Sequence, residues 1–287
     1  MFKLGVMTEE AGGDLPAVFG VIRELGLDYI EISWLWNKKV SAFSDQEVDA
    51  IKAGLSDNGV SVSCISPMVF FNVPLRATAN ERNYWGSYNR HMEDLRRSIE
   101  IAHRFDTKII RVFGFKTEVL LDPPLSGDHW PLILDKFREP AELAKREDVI
   151  LAVETCFFNS IATCSLARRF LDDLGSSHVK ICWDICNCLY FGENPFPDGY
   201  ELIIDDVVHI HLKDGVPDLP NMVFRMCALG EGRVQTYPEI FAALQRKQYS
   251  GTMSLECEYI PPGGTKVDAL HQSLAGFQKL TAGTLED

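Results

Sequence analysis

Eight short runs of β-branched and apolar residues recur along this chain, and their spacing constrains the fold more than any other feature. They are LGVMT at 4–8, YIEIS at 29–33, SVSCIS at 61–66, IIRVF at 109–113, ILAVE at 150–154, VKICWD at 179–184, VVHIHL at 207–212 and GTMSLE at 251–256. Each has the length and composition of a strand, and stretches of helical period separate most of them. Eight β/α units in 287 residues predict one α/β domain spanning 1–287, a single (β/α)8 TIM barrel. A doubly wound open sheet is the alternative. Against it, neither GxGxxG nor GxxxxGK[ST] follows the first run, so the usual phosphate cradle is missing.

The helices are readable one by one. Tyr88, Met92, Leu95, Ile99 and Ala102 step by four and three and so line one helical face. Ser44 with Glu47, and Thr236 with Glu239, have capping-box spacing, and Pro238 suits a first turn. The sixth helix, near Tyr200 to Ile204, follows a Gly/Pro-rich loop and is expected to be irregular. Helix-to-strand connections are brief, whereas the strand-to-helix connections Pro67–Trp85, Gly114–Trp130 and Lys213–Thr236 are long. In a (β/α)8 barrel those loops all emerge at the C-terminal face, where active sites are built, so the asymmetry predicts a substrate cavity there.

Composition narrows the partners. The 41 acidic residues exceed the 28 basic ones, a net charge of −13, which repels phosphate backbones and predicts no nucleic-acid partner. The N-terminus MFKLGVMTEEAGG lacks a long apolar segment, and no apolar run approaches the roughly 18 residues needed to cross a bilayer, so a cytoplasmic protein is expected. The eight cysteines read as buried thiols. A zinc site from Cys182, Cys186 and Cys188 is the rival, although paired CxxC spacings are absent.

Side chains of a strand alternate between faces, so Glu154, Asp184, His211 and Glu256 fall in one inward layer near the ends of the last four strands. Ala152, Cys182, His209 and Ser254 form the layer beneath. Three carboxylates and an imidazole converging on one mouth repel unless a divalent cation neutralises them. Taken singly, each is equally an ordinary polar strand end.

The segments AVET at 152–155, CWDICN at 182–187, HIHLKDG at 209–215 and SLECEY at 254–259 resemble the xylose isomerase-like barrel superfamily, and its sugar isomerase/epimerase branch in particular. So does LGEGRVQTYPEIFAALQRKQYSGTMSLE at 229–256. The resemblance implies one divalent metal (Mn²⁺, Mg²⁺, Co²⁺ or Zn²⁺, with Mn²⁺ favoured) held by Glu154, Asp184, His211 and Glu256. It also implies Glu154 and Glu256 as acid and base on opposite faces of the substrate. Isomerisation or epimerisation of a keto-sugar through an enediolate follows, with keto-polyol dehydration and sugar binding without turnover as alternatives. One departure stands out: relatives commonly carry His three residues after the Asp, where this chain has Asn187, which does not titrate near neutrality. The endonuclease branch, which needs further ligands, fits Asn187 and the acidic charge poorly.

Other residues carry weaker expectations. Asn187, Arg111 and Lys213 are candidate substrate-binding residues, Arg111 being equally suited to pair with an internal acid, and Glu31 either reaches the cavity or holds Arg111. Lys213 and Asp214 are expected at the rim, and His209 in the core below the site. His91, His103 and His271 read as structural. Trp34, Trp36, Phe70, Phe71 and Trp130 fall in loops at the mouth, where aromatics stack on a sugar, form a lid or join copies of the chain in a homo-oligomer.

Overall fold

The computed structural model describes residues 2–75, 87–116, 129–218 and 223–282. Its strands are β1 (Lys3–Met7), β2 (Tyr29–Ile32), β3 (Trp34–Leu35), β4 (Lys38–Lys39), β5 (Ser61–Val69) and β6 (Ile109–Phe113). Then come β7 (Ile150–Glu154), β8 (Val179–Asp184), β9 (Val207–Leu212), β10 (Asp214–Asp218), β11 (Val223–Cys227) and β12 (Thr252–Leu255). Eight of them close a parallel barrel in the order β1-β12-β9-β8-β7-β6-β5-β2, with β2 returning to β1 through Met7 and Glu31. Closure overturns the open-sheet alternative. β3 with β4, and β10 with β11, form two small antiparallel hairpins on strand-to-helix connections.

Both faces of the barrel strands are covered, which is why their sequences run apolar with few polar interruptions. α1 (Thr8–Ala11) continues directly from the C-terminal end of β1, and the outer face lies under α2 (Leu15–Leu25), α3 (Asp45–Asn58), α4 (Tyr88–Arg104) and α5 (Trp130–Arg146). The ring continues with α6 (Cys164–Leu174), α7 (Tyr200–Ile203), α8 (Tyr237–Arg246) and α9 (Lys266–Ala282). Along α4 the predicted stripe is the buried one: Met92, Leu95, Ile99 and Ala102 are buried and Tyr88 packs partly against the core. The Ser44–Glu47 capping box is present at the start of α3. The sixth unit is irregular as expected, with α7 only four residues long. No helix among the described residues is long and apolar enough to cross a membrane.

Thr236 does not cap α8. Its backbone (φ −94, ψ 11) is close to helical instead of extended, so its hydroxyl is not aimed at the free N–H groups and stays buried without a partner.

The connection Lys213–Thr236 is built around Asp214, which is fully buried and so is not the rim residue expected from sequence; Lys213 is buried too. The Asp214 carboxylate accepts hydrogen bonds from the backbone N–H of Gly215 (2.9 Å), Gly230 (3.1 Å), Gly232 (3.0 Å) and Val234 (3.2 Å). This explains the LGEG motif: Gly230 has φ +86, and a Cβ on Gly232 would lie 2.1 Å from Asp214 Oδ1. The Tyr237 hydroxyl donates to the Lys213 carbonyl at 2.6 Å and ties α8 to the same segment. Gly232→Ala is therefore expected to cost about 1–3 kcal/mol as an overpacking substitution. Thermal unfolding checks it; an unchanged Tm would mean that Asp214 does not organise this loop.

Candidate metal centre

Strand register and barrel tilt together assemble the site. In the ladders Glu154 lies opposite Cys182, Asp184 opposite His211, and His211 opposite Ser254. Glu154 is thus offset from Asp184, and His211 from Glu256, by two residues along the chain; the tilt of barrel strands takes up such stagger and levels the side chains. One ligand atom from each of Glu154, Asp184, His211 and Glu256 lies within 4.8 Å of the others, and all four residues are buried. Beneath them His209 is the core histidine expected. It meets Glu31 at 2.7 Å through Nε2 and Thr252 Oγ1 at 2.7 Å through Nδ1. Burial pushes the Cys182 thiol up to about 12, so it stays neutral in this lower layer.

Of the two roles its position allowed, Glu31 takes the one facing Arg111, and it is fully buried. It lies 3.6 Å from Arg111 Nε, and His211 Nε2 sits 3.1 Å from both of its carboxylate oxygens. Burial opposes a charge on His211, but Cys182, Glu31 and Glu256 outweigh it and hold the imidazole well above its ordinary value, so in the absence of a cation both nitrogens carry protons. With Nε2 kept on Glu31, Nδ1 is the nitrogen that would release its proton to a cation. Nδ1 is buried, 3.1 Å from Glu256 Oε2 and 3.9 Å from Glu154 Oε2. A cation taking the place of the Nδ1 proton would meet these carboxylates, and the carboxylate behind the imidazole is the support that metal-binding histidines usually have.

The charge count agrees. Among the described residues, the five carboxylates Glu31, Glu154, Asp184, Glu256 and Glu258 share Arg111, Lys213 and the imidazole of His211. Arg111 Nη1 donates to Glu154 Oε2 at 2.5 Å. Lys213 Nζ lies 2.8 Å from Asp184 Oδ2, 3.1 Å from Glu256 Oε2 and 3.2 Å from Glu258 Oε2. Burial pushes the Asp184 carboxyl up to about 7 against the pull of Lys213. Burial acts the same way on Glu256, but Lys213 and His211 outweigh it and hold that carboxyl below its usual range. The residues present therefore fit a divalent cation in donor type, spacing and charge.

Asn187 lies beside Asp184. Its backbone N–H donates to Asp184 Oδ1 (3.0 Å), and its Nδ2 donates to Asp184 Oδ2 (2.7 Å) and the Thr155 carbonyl (3.0 Å), leaving Oδ1 buried and unpartnered. Glu258 was missed in sequence: it lies beyond the end of β12 with φ +53, outside strand alternation, and its Oε2 reaches Lys213 Nζ. Two aromatics are corrected. Phe70 is fully buried among Tyr88, Phe115 and Phe137, and Trp130 packs on α6, with its Nε1 donating to Asp173 at 2.7 Å. Trp34 and Trp36 are half-buried beside a cavity, and Phe71 rests on Phe113. His91 is structural as expected, since its Nδ1 accepts from the Phe70 N–H.

Cys182, Cys186 and Cys188 do not form a metal-sized cluster among the described residues. Cys188 instead meets Cys164 at 3.5 Å. The carboxylate nearest that pair, Glu193, accepts from the N–H groups of Cys164 (2.6 Å) and Ser165 (2.9 Å) and so caps α6.

Comparison with known proteins places this geometry in context. The family model of the xylose isomerase-like TIM barrel matches residues 19–279. No curated protein matches the sequence. Among solved structures, 3-keto-D-glucoside 4-epimerase from E. coli aligns with a TM-score of 0.73 at 16% identity, covering 98% of this chain and 100% of that one. The probable 3-DHS dehydratase of petrobactin synthesis from Bacillus anthracis gives 0.73 at 17%, covering 96% and 99%. The IOLI protein, crystallised with a zinc atom, gives 0.76 at 16%, covering 100% of both chains. At these identities the structures share a fold. The family match over nearly the whole length goes further: the chain belongs to the xylose isomerase-like TIM barrel family.

Proposed function

We propose that this protein is a divalent-metal-dependent isomerase or epimerase of a keto-sugar or similar small polyhydroxy carbonyl compound, working in the cytoplasm. The observation that carries the reading is the buried cluster of Glu154, Asp184, His211 and Glu256, one ligand atom of each lying within 4.8 Å of the others. Held by Glu154, Asp184, His211 and Glu256, a divalent ion, Mn²⁺ by preference, would polarise a carbonyl and its neighbouring hydroxyl and acidify the hydrogen on the carbon they share.

The chain's own groups then divide the work. Glu256 is the base, because Lys213 and His211 favour its ionised form and it stands at the open end of the last strand. Glu154 is the second proton-transfer group, oriented by Arg111 Nη1. Arg111, buried between Glu154 and Glu31, acts on the substrate through Glu154. Lys213 orients Asp184 and Glu256, and the free Oδ1 of Asn187 is available to a substrate hydroxyl. A dehydratase begins with the same proton removal and then expels a β-hydroxyl; the equal likeness to the Bacillus anthracis protein favours it as the second reading.

Two outcomes are expected. Asp184→Asn should weaken Mn²⁺ binding by more than the roughly 10–100-fold that loss of a supporting hydrogen bond costs, and Asn187→Ala by about that range. Calorimetric titration reads both, and wild-type affinity should fall as pH drops through about 7, where a proton on Asp184 competes with the cation. Unchanged affinity in Asp184→Asn would remove it from the site. In D₂O, turnover should place deuterium on the carbon next to the carbonyl, and Glu256→Gln should slow this exchange by roughly 10²–10⁴. Near-normal exchange by the metal-loaded variant would reassign the base.

A further inference from the structure

Outside the barrel centre, Cys164, Cys188 and Glu193 bring three donor atoms within 4.8 Å of one another. Cys164 opens α6, and Cys188 lies in a short 3-10 helix, Asn187–Phe191, on the connection that leaves β8. Gly192, with φ +70, turns the chain back at the end of that helix. The Glu193 N–H then donates to the Cys188 carbonyl at 3.3 Å, and its carboxylate arrives beside the two thiols. The trio is drawn from two segments that meet only in the fold.

Its geometry is that of a ligand set. The sulfurs lie 3.5 Å apart. Two sulfurs bound at about 2.3 Å to one tetrahedral zinc stand about 3.8 Å from each other, so these two need to part only slightly. Gly199 backs Cys164 so closely that a Cβ there would lie 2.9 Å from its Sγ, and the sulfur has no room to turn away on that side. Glu193 is fixed as well, since its carboxylate accepts from the N–H groups of Cys164 (2.6 Å) and Ser165 (2.9 Å) and from the Ser165 hydroxyl. A carboxylate has about four lone-pair positions, so these hydrogen bonds orient it and leave it able to bind a cation.

Access and chemistry narrow the ion. Both thiols are fully buried, whereas Glu193 is half-buried and lines a cavity of about 540 Å³ with Gly192, Asn194 and Pro195. An ion can therefore approach through the carboxylate, and water from the cavity can fill a fourth position. Contact with Cys188, then burial and Glu193, holds the Cys164 thiol well above its ordinary value, so it keeps its proton until a metal replaces it. Two sulfurs and one carboxylate form a soft set, which selects Zn²⁺ over the Mn²⁺ or Mg²⁺ that carboxylate-rich sites take.

We propose that Cys164, Cys188 and Glu193 form a second metal site, selective for Zn²⁺, that clamps the connection after β8 to the start of α6. Binding exchanges protons for metal: each thiol releases its proton to solvent as its sulfur joins the zinc, with no change of oxidation state. Cys188 follows Asn187, and its thiol donates to the Asp184 carbonyl at 3.7 Å, so an ion here touches the segment that carries both residues. The site does not depend on the four-residue barrel centre or on the reaction assigned to it.

Co²⁺ serves as the probe, because a cobalt–thiolate bond gives a near-ultraviolet charge-transfer band that oxygen and nitrogen ligands do not. The full-length protein, stripped of metal and reduced with a phosphine, should develop this band on titration with Co²⁺. Zn²⁺ should then abolish it and Mn²⁺ should not. Cys164→Ser and Cys188→Ser should each lose the band, and Glu193→Gln should weaken Zn²⁺ binding there by roughly 10–100-fold. Asp184→Asn should keep it, since that change leaves the trio whole, and so should Cys227→Ser, which removes a half-buried thiol on β11. No band in the wild type, a band that survives both serine variants at the trio, or one lost with Cys227→Ser or Asp184→Asn would overturn the proposal.

Discussion

The imidazole of His211, when neutral, has one proton to place, and Glu31 takes it. Everything at the barrel mouth follows from that hydrogen bond. It fixes which nitrogen faces the cavity and leaves Nδ1, 3.1 Å from Glu256, as the one that would exchange its proton for a cation. Glu31 can do this because β2 delivers it to the barrel interior, where Ser66, His209 and Arg111 hold it from other sides. A carboxylate so surrounded is a fixed point. The arrangement has the form of a carboxylate–imidazole pair prepared for a cation.

Such a cluster is costly for the fold. Burying ions removes their hydration, and an incompletely neutralised group of carboxylates is a net expense unless a ligand completes it. The barrel offsets that cost with an apolar frame. Ile110, Leu151, Val153, Ile181, Ile210 and Met253 are fully buried on the strands that carry or flank the ligands. Rigidity matters as much as stability here, because donor atoms drawn from four separate strands keep their spacing only if register and tilt are held. The Asp214-centred loop serves the same end, since it fixes the segment following Lys213 and ties it to α8.

Much of this was readable from sequence because it is written in local periods. Strand alternation placed Glu154, Asp184, His211 and Glu256 on one face, and each predicted run overlaps a barrel strand closely. What escaped depends on contacts between distant segments. Asp214 looked like a rim residue because its partners, Gly230 to Val234, lie 16 to 20 positions away. Thr236 had the spacing of a cap but not the backbone angles. Phe70 and Trp130 looked like mouth aromatics because a loop position says nothing about which helix will cover it.

The central claim is that these four residues hold one cation at the end of the barrel. Anomalous diffraction at the manganese edge, from crystals grown with Mn²⁺, tests it most directly. The account predicts a single strong peak bonded to His211 Nδ1 and to carboxylate oxygens of Glu154, Asp184 and Glu256. A peak elsewhere, or none at this cluster, would contradict it.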